Sequence, residues 1–467
     1  MLNDVYRKEL ERKFVNKIIT DLSLNRQIIS NQDNKKIPIF DWFPYKEGFA
    51  YKLILHLIKD FGKENVTKIL DPFVGSGTTL FASRDLGIDS VGIELLPVGE
   101  FIFQTRVALE KIKDIEELLA LIKLVESLNY SLLDKSENTN FKHLKITEKA
   151  FSLATEDKLN RFLFFLENSD LEIHLKQILK FACFAILEKV SYTRKDGQYL
   201  RWDARANKGK SDFNKGYIPT FEEAINNKLK KIYNDTYAQS SRFNFKEDKD
   251  IRTDLITGST FNELPRLEKE SIDLIITSPP YLNRYDYTRI YALELAFLGI
   301  DEKRIRELRQ TLLSSNVESK GKEEKLKEFY SENYGLNFFA LLHDIGHCNS
   351  ALNEILEILD SYKVENKLNN NGIVTMVRHY FYEHVFLIFE MHRVLRTGGV
   401  LYYVNDNVRY AGETIPVDLI LSEFAEKLGF TIEKIFTLKN GKGNSSQQMG
   451  SHGREVMRKC IYKWRKL

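Results

Sequence analysis

The stretch Val66-Thr-Lys-Ile-Leu70, running on into Asp71-Pro-Phe-Val-Gly-Ser-Gly-Thr-Thr-Leu80, decides the fold. Its first five residues are mostly apolar or β-branched and are bounded by polar ones, so they read as a strand. Glycines at 75 and 77 let the backbone turn tightly and approach a ligand without a Cβ in the way. Leu80 to Leu86 starts a helix, whose free N–H groups and positive end would face that ligand. Ser90-Val-Gly-Ile-Glu94 reads as the next strand. Strand, glycine loop, helix and strand in succession mark a parallel α/β sheet. Two nucleotide loops can be compared with this one. A Walker loop needs Lys after its last glycine, and Thr78 stands there. A dinucleotide loop wants a third glycine, and position 80 is Leu. Glu94 could still accept hydrogen bonds from both hydroxyls of a ribose, a role that serves any adenosine-containing cofactor. A tight turn with no ligand would use the same glycines.

Outward from this unit the pattern changes. Residues 1–30 read as a charged amphipathic helix, with Val5, Leu10, Phe14, Ile18 and Ile19 at helical spacing, and a turn follows at Asn31–Lys36. Residues 100–190 carry helical periodicity almost throughout. A polar, basic and aromatic stretch occupies 191–218, and a helix is expected over about 220–236. Strand signals resume at 254–258 and at Ile272–Thr277. Charged helical sequence covers about 301–330, and a further helical stretch with an Asn-rich tail reaches 372. The sheet is expected to return at Ile373–Val377 and Val400–Val404, with final strands near 430–438 and 456–464. These segments give one α/β core interrupted twice. An N-terminal helix is placed at 1–36 and the core at 37–105, 250–300 and 373–467. A helical insert spans 106–249 and a second one 301–372.

The composition sets outer limits. Among 467 residues, 69 are Lys or Arg and 66 are Asp or Glu, a net charge of +3, and 43% are apolar. Such a chain buries a large core, which excludes a disordered polyelectrolyte and a small, wholly basic histone-like protein. It leaves room for a nucleic-acid-binding cleft on a near-neutral protein. Cys183, Cys348 and Cys460 lie far apart and form neither a disulfide framework nor a CxxC pair, which points to a reducing compartment. Met1 to Thr20 mixes charges into its apolar residues, unlike a signal peptide, and no apolar run reaches the roughly 18–20 residues of a membrane helix. A cytoplasmic protein is expected. His343 and His347 stand at i,i+4 spacing with Cys348 beside them, but no second ligand pair accompanies them, so no metal is expected.

The second chemical signal is Ser278-Pro-Pro-Tyr281, which closes the apolar strand 272–277. Two consecutive prolines end the strand and stiffen the loop. A polar residue before them and an aromatic after them then sit at the carboxyl edge of the sheet, where ligands bind in open α/β folds.

The chain resembles the S-adenosylmethionine-dependent DNA amino-methyltransferases. Asp71-Pro-Phe-Val-Gly-Ser-Gly-Thr-Thr79 is similar to their cofactor loop, and Ser278-Pro-Pro-Tyr281 to their catalytic motif. Ile93-Glu94-Leu95 and Phe40-Asp-Trp-Phe-Pro-Tyr-Lys-Glu-Gly-Phe49 match two further cofactor motifs, the second more loosely. Arg393-Val-Leu-Arg-Thr-Gly-Gly399 is common to many methyltransferase sheets. The resemblance covers about 37–100, 250–295 and 373–467. It implies a Rossmann-like methyltransferase core, mostly a parallel seven-stranded sheet, with a large, mainly helical insertion. It also implies S-adenosylmethionine as cofactor and methylation of an exocyclic amine, the 4-amino group of cytosine or the 6-amino group of adenine. Ser at the first motif position favours cytosine, while Asp or Asn is usual for adenine. Carbon-5 chemistry is disfavoured, because no cysteine here follows a proline.

The resemblance further implies the roles of single residues. Ser278 Oγ and the Pro279 carbonyl would accept hydrogen bonds from the amine, drawing it towards sp³ and freeing its lone pair. Pro280 would stiffen the loop, and Tyr281 would stack on a base flipped out of the duplex. Neither a covalent intermediate nor a metal is needed, so catalysis is positioning plus electrostatics. Phe73, Gly75 and Gly77 would line the cofactor, Asp71 and Thr78 would be polar contacts, Glu94 would take the ribose and Ser259 would lie on the adenine side. Asp71 also reads as a helix-capping carboxylate, and Thr79 as a buried helix residue.

Target recognition is expected within 106–249. The stretch 194–215 holds Arg194, Lys195, Arg201, Arg205, Lys208, Lys210 and Lys215, interleaved with Tyr192, Tyr199 and Trp202. Such cations neutralise phosphates, and Arg also reads guanine. Arg284 and Tyr285, just past the prolines, are expected beside the flipped strand. Asn405-Asp-Asn407 reads either as a base contact or as a turn, and 440–454 as a loop touching DNA. Double-stranded DNA is the expected partner. No nuclease motif is apparent, so any restriction endonuclease would be a separate chain. Two further readings stay open: an RNA amino-methyltransferase, and a catalytically silent nucleic-acid-binding protein on the same scaffold.

Overall fold

The computed structural model describes residues 4–24, 26–29, 32–46, 48–197, 199–208, 212–238, 251–438 and 457–467. Lys210 and the loop 440–454 lie outside the described residues. Among the described residues, twelve strands follow in chain order. They are β1 (Ile18–Thr20), β2 (Lys68–Asp71), β3 (Asp89–Glu94), β4 (Thr193–Asp196), β5 (Tyr199–Trp202) and β6 (Thr253–Thr257), then β7 (Ile272–Thr277), β8 (Leu395–Asp406), β9 (Val408–Tyr410), β10 (Glu413–Ile415), β11 (Phe430–Thr437) and β12 (Lys459–Lys466). One eight-stranded sheet has the order β1-β11-β12-β8-β7-β2-β3-β6. Its centre, β8-β7-β2-β3-β6, is parallel throughout. β12 runs antiparallel between β8 and β11. The α/β class and the Rossmann-like core follow from this sheet and the helices packed on it.

Three expectations are corrected. The N-terminal stretch is not one helix: the helix ends at Phe14, and Ile18-Ile19-Thr20 pairs in parallel with Ile435–Thr437 as an edge strand. Three consecutive β-branched residues favour an extended chain, and they supply the strand beyond the expected seven. Ile373–Val377 is not a strand but the start of a 22-residue helix, Ile373–Val394. A five-residue apolar run cannot tell strand from buried helix. Here the apolar spacing continues through Tyr380, Phe381, Leu387 and Met391, all buried against the sheet. Asn405-Asp-Asn407 is not an open loop. Asn405 is fully buried at the end of β8 and donates to Tyr380 Oη at 2.9 Å, and Asn407 Oδ1 accepts from Asp418 N at 3.0 Å.

Both inserts share core with the sheet or its loops. Helices Glu323–Tyr334, Leu336–His347 and Ser350–Val364 bury Leu326, Leu342 and Ile355 in one cluster with strand residues Ile275, Leu401 and Tyr403. Helices Ile115–Ser127, Leu153–Asn168, Ile173–Val190 and Phe221–Ala238 pack in another with Trp42, Phe43 and Tyr45, from the loop ahead of β2. The N-terminal helix is bolted to the far end of the chain. Arg458 pairs with Glu11 at 2.6 Å and Asp418 at 2.7 Å, and Arg7 pairs with Glu354 at 2.7 Å. No described helix is long and apolar enough to cross a membrane.

Candidate active site

The carboxyl ends of β2, β3 and β7 are adjacent, so three segments distant in sequence open onto one cavity. From the first come Phe73, Gly75, Ser76 and Thr78, and from β3 comes Glu94. Ser278 and Pro280 close it at β7, and Ser259 and Thr260 at the end of β6. Tyr45, Lys46, Gly48 and Phe49 border it from the loop before β2, and Thr311, Leu312 and Leu313 from the second insert. The sequence therefore placed most of its cofactor candidates around a single space.

The glycine loop owes its shape to backbone and neighbours. Gly75 has φ +56° and Gly77, which precedes helix Thr78–Asp85, has φ +83°. A Cβ at 75 would lie 3.0 Å from the Tyr45 ring. Gly77 packs inward against Phe81 and Phe103 rather than lining the cavity. Two residues that the motif does not reveal brace the loop. Gly99, in helix Pro97–Leu109, lies so close to it that a Cβ would come within 2.4 Å of the Gly75 carbonyl. Arg106, from the same helix, donates to the Ser76 carbonyl at 2.9 Å, its guanidinium lying over the rings of Phe40 and Phe81.

Asp71 is corrected from ligand to brace. It is fully buried and is not part of the cavity wall. Its carboxylate accepts from Thr79 Oγ1 at 2.6 Å, Thr277 Oγ1 at 2.8 Å and Phe73 N at 3.1 Å. It thus ties the glycine loop to the strand that carries Ser278. Burial raises its pKa to about 6 despite these donors.

Glu94 is buried at the cavity wall, and Oε1 accepts from Leu96 N at 2.7 Å. Burial pushes its pKa up to about 8, with the backbone donors at Leu96 and Gly75 opposing the rise. Among the described residues no cation pairs with it. A buried carboxylate without a cation suits a neutral donor pair such as ribose hydroxyls, which stabilise the charge that burial disfavours.

Ser278 is half-buried and donates its hydroxyl hydrogen to Tyr281 Oη at 3.0 Å. That leaves the lone pairs of Ser278 Oγ as acceptors. The loop beyond is fixed from below by Tyr410 of β9, whose hydroxyl donates to the Leu282 carbonyl at 2.7 Å. Tyr285 is buried, which removes it as a DNA contact. Arg284 takes a left-handed backbone, φ +64°, and donates to Asn369 Oδ1 at 2.9 Å.

The basic stretch folds into a hairpin, β4–β5, and its alternation splits the charges. Arg194 and Arg201 are direct cross-strand partners and both are exposed. Lys195 points the other way and is corrected from a DNA contact to an internal brace. It is buried, pairs with the buried Glu294, and lies over the rings of Phe43 and Tyr291. Arg205 is exposed but holds Asp203 with two hydrogen bonds, at 2.7 and 2.8 Å. Lys208 caps the carbonyls of residues 145, 146 and 148, each at 3.0 Å, and Lys215 reaches the Ser191 carbonyl at 2.8 Å.

A Rossmann-like sheet whose glycine loop, buried acid Glu94 and Ser-Pro-Pro-Tyr turn share one cavity is the arrangement expected of the S-adenosylmethionine-dependent amino-methyltransferases. Residues 5–98 match a family model described as DNA methylase. The chain is 45% identical over 470 residues to the type II methyltransferase M.AvaI of Nostoc sp., covering 99% of this chain and 93% of that protein, and equally so to its counterpart from Anabaena variabilis. It is 41% identical over 477 residues to the type II methyltransferase M.BsoBI of Geobacillus stearothermophilus, covering 99% and 92%. The chain belongs to the type II DNA methyltransferases of the N4/N6 amino group. S-adenosylmethionine is its methyl donor.

Proposed function

We propose that the protein methylates the 4-amino group of cytosine in a specific duplex DNA sequence. The observation that carries this reading is a serine hydroxyl, not an amide or a carboxylate, at the polar position of the cavity formed with the glycine loop. When bound, S-adenosylmethionine supplies an electrophilic methyl group. The chain's residues do the rest. Glu94 and the backbone of Gly75, Ser76 and Thr78 hold the nucleoside part, with Phe73 and Ser259 on the cavity walls. Tyr281, by accepting a hydrogen bond from the Ser278 hydroxyl, turns the serine lone pairs towards the amine. The Ser278 oxygen and the Pro279 carbonyl accept hydrogen bonds from the two amine hydrogens, Pro280 keeps these acceptors in register, and the nitrogen sheds one proton to solvent after it takes the methyl group. Tyr281 also offers a face for a flipped base. Arg194 and Arg201 contact phosphates from the hairpin, with Arg284 nearer the reacting strand. A methyltransferase core of 37–105, 250–300 and 373–467 with inserts at 106–249 and 301–372, target recognition lying in the first insert, forms part of this proposal, as does a separate endonuclease partner.

The test is nucleoside mass analysis and sequencing of duplex DNA treated with the purified protein and S-adenosylmethionine. N4-methylcytosine at one recurring site is expected. N6-methyladenine would overturn the cytosine assignment and leave the amino-methyltransferase class intact. A preference for RNA would overturn the duplex DNA reading.

A further inference from the structure

We propose that Glu323, His343 and His347 form a binding site for a divalent transition-metal ion of the zinc class. The two histidines lie one turn apart in the last turns of helix Leu336–His347. The fold adds the third donor, Glu323, from the first turn of the antecedent helix Glu323–Tyr334. Glu323 Oε1 lies 3.6 Å from His343 Nε2 and 3.8 Å from His347 Nε2. All three ligand atoms fall within 4.8 Å of one another. Donors that each sit about 2.1 Å from a tetrahedral zinc are about 3.4 Å apart, so the two separations from Glu323 need only a small contraction around the ion. His347 Nε2 is buried and lacks a hydrogen-bond partner, a state that a metal bond relieves. The His347 ring is backed by Tyr382, at 4.9 Å between centroids, and the His343 ring lies 4.2 Å from it. The neighbouring Arg378 is engaged with Asp360 at 3.8 Å. Two imidazoles and one carboxylate suit zinc better than magnesium or calcium, which prefer oxygen alone.

The site has a structural consequence. Its ligands close the open end of the helical hairpin. Glu323 also ends the loop 312–322, in which Leu312 and Leu313 line the cofactor cavity and Glu318 pairs with Arg289 at 3.0 Å. Lys322, adjacent to Glu323, is buried on Glu383 at 3.1 Å. A bound ion would therefore pin one end of a cavity wall.

The experiment uses the full chain without a histidine tag, stripped with a chelator and titrated with Zn²⁺ alone by calorimetry. Co²⁺ is added in parallel and followed by visible absorption. One saturable equivalent in the micromolar range, a Co²⁺ d–d band and a raised Tm are expected. Affinity should fall at least about tenfold in His343→Ala and in His347→Ala, and should survive Cys348→Ser, which controls for the exposed thiol next door. Retained binding of S-adenosylmethionine shows that a variant is folded. Absence of saturable Zn²⁺ binding to the wild-type chain would overturn the proposal whatever the variants do. So would unchanged affinity in the folded double variant.

Discussion

Replacing Glu94 by Gln separates the cost of burying a carboxylate from its use in binding. In the free protein Glu94 titrates at about 8, against an ordinary value of 4.5. The proton count fixes the sign. Below pH 4.5 both the folded and unfolded chains hold the proton, and between 4.5 and about 8 only the folded chain does. Wild-type stability therefore falls with rising pH across that window, by about 1.4 kcal/mol per unit. At pH 7 the accumulated cost is about 3 kcal/mol, and Glu94→Gln should lose this slope. Binding runs the other way. If the carboxylate accepts the ribose hydroxyls, the cofactor must draw a proton off Glu94 at pH 7, at about 1.4 kcal/mol. The bonds gained are charge-assisted, at about 1.5–3 kcal/mol each. Cofactor affinity should thus strengthen up to about tenfold per unit as pH rises towards 8, with proton release on binding. The variant should bind about 10- to 100-fold more weakly at pH 8, with a flat profile. Calorimetry between pH 7 and 8.5, in buffers of different ionisation enthalpy, measures both, and this window lies above most of the titration of Asp71, at about 6. Wild-type affinity and wild-type proton release in Glu94→Gln would refute the assignment of Glu94 to the ribose.

Four other perturbations test the site and the hairpin. Ser278→Ala should lower kcat by about 10²–10³-fold while leaving the Kd for S-adenosylmethionine almost unchanged, and single-turnover methylation with a matched binding assay reads both. Gly75→Ala places a side chain at φ +56° and 3.0 Å from the Tyr45 ring, so cofactor affinity should fall about tenfold, as judged by calorimetry. On the hairpin, Arg194→Ala should reduce the slope of log K against log salt for DNA by about 0.9 with Tm unchanged. Lys195→Ala should instead destabilise the fold by about 3–5 kcal/mol by stranding Glu294 in the core, which a denaturant titration measures.

What could be read in advance was what is contiguous. The strand, glycine loop, helix and strand at 66–94 carry their own turn chemistry, and Ser278-Pro-Pro-Tyr281 carries its own strand end. Both were therefore legible without knowing where the chain goes next. What needs a partner across space was not. Asp71 sits in a motif and looks like a ligand. Its role is set by Thr277, 206 positions away. Arg106 and Gly99 belong to no motif, yet one holds the Ser76 carbonyl and the other makes room for that of Gly75. Ile373–Val377 was ambiguous for a different reason. Periodicity needs length, and only the residues after 377 reveal a helical stripe.

The basic stretch shows how the same limit distorts a reading of charge. Seven cations within 194–215 suggest one positive wall. A two-residue period sends alternate side chains to opposite faces, so Arg194 and Lys195 cannot both face DNA. Lys195 took the inner face because Glu294, Phe43 and Tyr291 offer it a counter-charge and two ring faces there. Arg205, Lys208 and Lys215 are committed to a carboxylate and to carbonyls of their own domain. Among the described residues Arg194 and Arg201 remain, directly opposed across the hairpin. Two like charges in that arrangement repel and weaken the pairing, and Asp196 offsets this only through a solvent-exposed pair with Arg201 at 3.2 Å. A phosphate between the two guanidinium groups would turn that repulsion into attraction. Within the described part of 194–215 the cations thus fall into two groups, one that holds the insert together and the exposed pair Arg194 and Arg201, which the proposed function assigns to the duplex.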